Sequence, residues 1–423
     1  MKISVPYGKS AIICEIPEER LRGVLYSRAH DYKAKATESS LVREALGAPT
    51  GSPPLRELVK GKKRVVIITS DHTRPVPSGI TMPLLLEEIR AGNPDAEITL
   101  LVATGLHRNM TREEIAVRFG PELSSSENIV VHDCHDEKNL VALGTLPSGG
   151  SLVVNRLVVE CDLLISEGFI EPHFFAGYSG GRKVVLPGVA GYKTVLANHC
   201  SEFIAHDMAR TGILDGNPIH GDMIFAAKTA KLAFILNVVL DADKKIIAAF
   251  AGDSDAAHRE GCDFLKSLAG IKPVPADIVI TGNGGYPLDQ NVYQAVKAMT
   301  GAEASILPGG VIVIAAECCD GHGGEAFYDT FKSTRSAEQV MRAITARGRD
   351  ETLPDQWQSQ IFLRVLLKHK VVMVSSVAPE MIEHLNMIPA ASLQDAVAKA
   401  EELLGKKDAS VTVIPDGVSV IIE

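Results

Sequence analysis

Several features that would assign a protein class quickly are missing from this sequence. No apolar run approaches the roughly 20 residues that a membrane-crossing helix requires, so a helical membrane protein is not expected. The opening residues, MKISVPYGKSAIICEI, read as strand rather than as a charged region leading into an apolar leader. Cysteine is sparse and odd in number: seven residues (Cys14, Cys134, Cys161, Cys200, Cys262, Cys318, Cys319) with no CxxC spacing. That pattern suits reduced thiols and a cytoplasmic location. Excess positive charge is lacking as well, since 43 Lys and Arg face 52 Asp and Glu for a net charge of −9. A nucleic-acid partner usually demands a basic face. A small anion remains compatible, because local cations can outweigh the global sign.

What the chain does contain is a repeated order of β-branched run, Gly-rich or polar loop, and helix-like stretch. Residues 63–69, 96–103, 161–166 and 232–240 are near-continuous Val, Ile and Leu, which predicts strands covered on both faces, as in a parallel sheet. Thr111 and Glu114 have capping-box spacing and open a helix through about Phe119. A second set follows: strands at 275–282, 309–317 and 369–376, a glycine-interrupted helix at 289–306, and a mostly helical 325–368. Strands alternating with helices predict an α/β protein of two domains with largely parallel sheets and an active-site cleft between them. The Pro- and Gly-bearing stretch 269–277 marks the boundary. The expected division is an N-terminal domain over 1–270, a C-terminal domain over 275–408, and a C-terminal strand segment, 409–423, that could return to the first domain.

In sheets of this kind ligands bind beyond the carboxyl ends of the strands, and the chemically useful residues cluster there. SDHTRPVP supplies Asp71, His72, Thr73 and Arg74; ATGLHR supplies His107 and Arg108. EGFIEPHFFAGYSGGRKVVLPG supplies Glu167, His173, Arg182 and Lys183, followed by His199; TGNGGYPLDQNVYQAVK supplies Tyr286, Asp289, Tyr293, Gln294 and Lys297. Each has an ordinary reading: Arg74 as half of a surface ion pair, His107 as a loop residue, and Tyr293 with Lys297 as the exposed face of an amphipathic helix. HDCHDE (132–137) offers zinc-like ligands but lacks a third partner at a recognised spacing, so a polar turn is the better reading. Lys183 is harder to dismiss, because Gly177, Gly180 and Gly181 allow positive φ and a close main-chain approach. A lysine held in a partly desolvated place can act as nucleophile or covalent tether. His199 can then ligate a metal through one ring nitrogen.

Taken together, SDHTRPVP, ATGLHR, EGFIEPHFFAGYSGGRKVVLPG, the Asn198–His199 pair, GGYPLDQNVYQAVKAM and the lone tryptophan in DQWQ resemble the nickel-dependent lactate racemase family. The motifs span residues 70 to about 357. The resemblance implies nickel held in a pyridinium-3-thioamide-5-thiocarboxylic acid mononucleotide, the nickel-pincer nucleotide, which separate cofactor-synthesis proteins make. It implies a thioamide link at Lys183, metal ligation by His199, and Asp71, Thr73 and Gly177 beside the cofactor. His107 and His173 match the acid/base pair, and Arg74, Tyr293, Gln294, Lys297 and Trp357 match the substrate contacts. The implied activity is interconversion of L- and D-lactate by hydride transfer through pyruvate. Hydride removal avoids placing a carbanion beside a carboxylate, and two bases serve two mirror-image substrates. Racemisation or epimerisation of another 2-hydroxy acid, such as malate or a longer one, is the alternative; no extra cation for a second carboxylate is evident.

Overall fold

A computed structural model describes residues 1–332 and 336–423. The helical expectation for 325–368 therefore includes three residues outside the described ones. The chain divides into two compact units, one of residues 28–199 and 206–268, the other of residues 1–27, 200–205 and 269–423.

The first unit is built on a six-stranded sheet. Its strands are β1 (Arg64–Ser70), β2 (Glu97–Ala103), β3 (Asn128–Val131), β4 (Leu163–Phe169), β5 (Leu232–Leu240) and β6 (Ile246–Gly252), in spatial order β6-β5-β4-β1-β2-β3. All neighbours are parallel except β5 and β6. Alternate residues show why the runs are continuously apolar. Val65, Ile67, Leu100, Ile165 and Leu236 pack in one core cluster with Val42, Leu85 and Ile89, while Val66, Ile68, Leu101, Leu164 and Ile235 are buried as well. The strand order reverses between β4 and β1, which places a topological switch point at their carboxyl ends. Helix α1 (Ser78–Gly92) follows β1, and α2 (Arg112–Ser126) follows β2.

Thr111 caps α2 as the spacing predicts: its hydroxyl accepts from Glu114 N–H at 3.2 Å and the Glu114 carboxylate accepts from Thr111 N–H at 2.8 Å. The expected end near Phe119 coincides with a kink at Gly120 (φ 79°), after which Pro121 opens one further turn. A short helix α3 (Tyr192–Asn198) ends at His199.

The second unit carries its own six-stranded sheet, wholly parallel. Its labelled strands are β7 (Ala276–Gly282), β8 (Ile306–Ala315), β9 (Lys370–Val374), β10 (Ile388–Ala390) and β11 (Val411–Ile414). Leu21–Val24 adds the edge beside β11. Helix α4 (Val292–Glu303) begins at Asn291, whose side chain accepts from Gln294 N–H at 3.0 Å. The glycine inside it is required by a neighbour, since a Cβ on Gly301 would stand 2.8 Å from the Gly417 carbonyl. Helix α5 (Gln356–Leu366) packs beside α4 through an aromatic cluster of Tyr293, Phe327, Phe331 and Phe362.

Three parts of the expected division differ, the first being that residues 200–205 group with the later unit. Residues 1–27 do not belong with residues 28–199, because Leu21–Val24 completes the sheet of the later unit and Ile3, Val5, Cys14 and Ile16 pack in its core. Residues 409–423 do not return to the earlier unit either: β11 pairs with β7, and Ile421–Ile422 pairs with Gly270–Ile271. The switch at Ala269 does fall at the Pro- and Gly-bearing stretch.

Replacing Thr111 by alanine removes the α2 cap and is expected to cost about 1 kcal/mol of unfolding free energy. Urea denaturation followed by circular dichroism measures it, and an unchanged midpoint would contradict the capping role.

Candidate active site

The loops beyond β1 and β2 bring Asp71, Thr73, Arg74 and His107 together. Asp71 is 1% exposed, and its carboxylate is fully used. Oδ1 accepts from the Thr73 N–H at 3.0 Å and the Thr73 hydroxyl at 2.6 Å, and Oδ2 lies 2.7 Å from His107 Nδ1. An ionised carboxylate only accepts, so Nδ1 carries the proton and Nε2 the lone pair. Burial pushes the Asp71 carboxyl up, but the hydrogen bond and charge of His107, with Thr73 and Arg74, outweigh it and hold the group down at about 2. Arg74 is half-buried and its Nη1 lies 3.2 Å from Thr73 Oγ1.

Beyond β4 the glycine-rich stretch has a different logic from the expected one. Gly177, Gly180 and Gly181 all have positive φ, at 79°, 79° and 52°. Their missing side chains make room for the protein's own atoms. A Cβ would collide with the Ile213 carbonyl at 177, with Asn237 Oδ1 (2.6 Å) and Phe169 O (2.8 Å) at 180, and with the His258 ring (2.6 Å) at 181. Arg182 is wholly buried under this loop. Its guanidinium donates to Ala176 O at 2.7 Å, Gly180 O at 3.3 Å and His220 Nδ1 at 3.0 Å, and it lies 3.0 Å from His258 Nε2. Burial lowers its pKa to about 10, so the cation persists at neutral pH.

Phe175 is the centre of the next group and was not singled out by sequence. His173 meets its ring edge-on at 4.5 Å between centroids and His199 at 5.2 Å, while Lys183 Nζ stands 5.7 Å over it. Lys183 is half-buried and His199 is 5% exposed. His199 Nδ1 lies 3.0 Å from the Val195 carbonyl, which only accepts, so its lone pair is at Nε2. Burial, with the Lys183 charge, depresses His199 to about 3, and the ring is a neutral imidazole. In His173, Nδ1 accepts from Ala176 N–H at 3.3 Å, which leaves its proton on Nε2. The two loop systems touch: Gly105 N–H, two residues before His107, donates to Gly188 O, five residues after Lys183, at 2.9 Å.

The remaining expected residues lie on the second unit. Tyr293, Gln294 and Lys297 are half-buried on α4, opposite the buried Val292, Val296 and Met299. Tyr293 donates to Asp355 at 3.0 Å, and Trp357, 9% exposed, opens α5. The competing HDCHDE reading is not supported. His132 is fully buried, donates from Nε2 to Ala190 O at 3.0 Å and accepts at Nδ1 from Asn155 at 3.1 Å, so both nitrogens serve packing. Among the described residues no group of three or more His, Cys, Asp or Glu is placed to hold a metal.

Two measurements test this geometry. The folded Asp71 pKa is depressed, so its contribution of about 2 kcal/mol is present above the unfolded value near 4 and lost as pH falls toward 2. The unfolding free energy of the wild type should therefore exceed that of Asp71→Asn at pH 6, with the gap closing toward pH 3. Gly177→Ala should cost about 2–4 kcal/mol from positive φ and the clash with Ile213. A loss under about 1 kcal/mol would mean the loop can shift freely.

Residues 7–212 match the family model for the lactate racemase N-terminal domain, and residues 271–422 match the lactate racemase C-terminal domain. The chain is 56% identical over 421 residues to the lactate racemase of Thermoanaerobacterium thermosaccharolyticum, covering 99% of each chain. It is 51% identical over 422 residues to that of Lactiplantibacillus plantarum, covering 100% of this chain and 99% of the relative. The solved lactate racemase apoprotein from T. thermosaccharolyticum superposes over 100% of both chains with a TM-score of 0.97 at 54% identity. Two domain models and two full-length relatives agree: the chain belongs to the lactate racemase family.

Proposed function

We propose that this chain interconverts L- and D-lactate, using a nickel-pincer nucleotide joined to Lys183 with its nickel on His199. The observation that carries the reading is the grouping of the Lys183 amine, a neutral His199 and His173 around one aromatic ring. The residues fit such a group. His199 has the tautomer and charge state that bind a metal through Nε2. With no set of three side-chain ligands among the described residues, a metal at His199 would draw its other donors from a ligand, as an S, C, S pincer provides. Once bound, the nucleotide supplies a carbon that can accept the C2 hydride of lactate and return it.

The protein's part is proton handling and orientation. His107, held by Asp71 with its lone pair on the half-exposed Nε2 side, serves as base for the substrate hydroxyl. The buried Asp71 carboxylate then stabilises the imidazolium that forms. His173, whose proton sits on Nε2, serves as the donor to the product oxygen. One acceptor and one donor are what inversion needs, and their roles exchange for the other enantiomer. Arg74, Gln294 and Lys297 hold the carboxylate and hydroxyl, with Tyr293 and Trp357 beside them; Thr73 and Gly177 line the cofactor. Among the described residues no helix is long and apolar enough to cross a membrane; the reading places the chain in the cytoplasm, loaded there by separate cofactor-synthesis proteins.

The test is chiral chromatography of L-lactate incubated with protein produced alongside its cofactor-synthesis partners. Racemisation is expected, and His107→Ala or His173→Ala should slow it by about 100-fold or more. Intact-mass spectra should show an adduct that Lys183→Ala lacks. Loaded protein that carries the adduct yet leaves L-lactate unchanged would overturn the assignment.

A further inference from the structure

The loop that carries Asp71 and Arg74 draws part of its main-chain hydrogen bonding from outside itself. Pro75 and Pro77 have no N–H, and the loop's internal bonds are Arg74 N–H to Asp71 O at 3.2 Å and Ser78 N–H to Val76 O at 2.9 Å. The Asp71 and Val76 carbonyls, which already accept those bonds, and the Arg74 carbonyl all receive a further donor from one side chain on α2. Arg118 Nη2 donates to the carbonyls of Asp71 and Arg74, the latter at 2.7 Å, and Nη1 donates to Val76 O at 3.1 Å and Ser78 Oγ at 3.4 Å. The planar fork reaches all three carbonyls at once, which an ammonium on a flexible stem cannot reproduce.

The base of this clamp is fixed from the sheet. Glu167, wholly buried at the end of β4, accepts from the hydroxyls of Thr69 at 2.6 Å, Ser78 at 2.5 Å and Thr81 at 2.5 Å. Ser78 therefore joins the carboxylate to the guanidinium; burial lowers the Arg118 pKa from its ordinary value, and the Glu167 and Asp71 charges offset part of that. Glu167, Arg118 and the loop are consecutive links from strand end to acid–base pair.

We propose that Arg118 is a positioning residue for the Asp71–His107 pair, setting through three loop carbonyls the direction from which the carboxylate meets His107 Nδ1. The inference rests on the functional reading above only for its catalytic consequence; its structural half concerns the apoprotein. Arg118 also lines an open pocket of about 590 Å3 together with His72, Arg74 and Val117. A small guanidinium ion can therefore reach the place its side chain would vacate.

The experiment uses the full chain with 15N-labelled histidine, as apoprotein and as loaded enzyme, in wild type, Arg118→Ala and Arg118→Lys. In wild-type apoprotein the neutral His107 ring, assigned by comparison with His107→Gln, should hold its proton on Nδ1. In Arg118→Ala that preference should collapse to a mixture of tautomers, and Arg118→Lys should fall between. In loaded enzyme, kcat should drop roughly 100-fold in Arg118→Ala, with a rise in KM because Arg74 shares the loop. Guanidinium ion at non-denaturing concentration should recover about tenfold of that loss and the Nδ1 proton, whereas methylammonium should not. Unchanged His107 tautomers would overturn the inference, as would a lower melting temperature with kcat within about threefold of wild type. Should Arg118→Ala fail to fold, a wild-type tautomer and kcat in Arg118→Lys would overturn it equally. Failure of loaded wild type to racemise lactate would instead sink the functional reading and leave the apoprotein spectra to decide this one.

Discussion

A guanidinium cut off from water has to be met by acceptors on nearly every N–H, and the lysine-bearing loop is folded around that demand. Arg182 is held by two carbonyls and flanked by two imidazoles, with no carboxylate among its hydrogen-bond partners in the described residues. Its oxygen partners are the main chain of Ala176 and Gly180 themselves. Removing the charge would strand those acceptors, which costs more than the bonds are worth in the intact protein. The loop is thus shaped by a buried cation, and the position of the next residue, Lys183, follows from it. Positive φ at Gly177, Gly180 and Gly181 is the backbone's response to packing that tightly against Ile213, Asn237 and His258.

Around this frame, histidines of identical chemistry are made different by surroundings. His107 sits half-exposed against a buried carboxylate, His199 is enclosed and neutral beside a lysine, and His173 stacks in aromatic rings with the opposite tautomer. His132, His220 and His258 are buried and serve packing and hydrogen bonding, their pKa values lowered chiefly by that burial. Residue type alone would not separate these two groups; the neighbours do.

Much of the fold was legible because strands buried on both faces are built mostly of Val, Ile and Leu, as the runs at 63–69, 96–103, 161–166 and 232–240 are. The His107, His173 and Lys183 motifs stood out because they lie beside glycines and prolines at strand ends. Other features were hidden for physical reasons. Nothing local in Leu21–Val24 announces a partner at Val411–Ile414, so the division of the chain was drawn too simply. Phe175 reads as ordinary apolar filling, and Arg118 as a solvated helix charge, until tertiary contacts show what each touches. The glycines stood out in the sequence as room for a ligand, whereas the atoms that crowd them include those of residues 213, 237 and 258, far along the chain.

The pairing of Leu21–Val24 with Val411–Ile414 has a consequence for synthesis. A ribosome adding about 5–20 residues per second needs on the order of 20–80 seconds to travel between those two strands. Throughout that interval the early strand exists without the sheet that will receive it, while the stretch from 28 to 268 is completed partway through. The nascent chain must therefore carry an unsheltered β segment through most of its own translation. The charged residues that punctuate it, Lys2, Lys9, Glu15, Glu18, Glu19, Arg20 and Arg22, are the kind that keep such an edge from recruiting strangers.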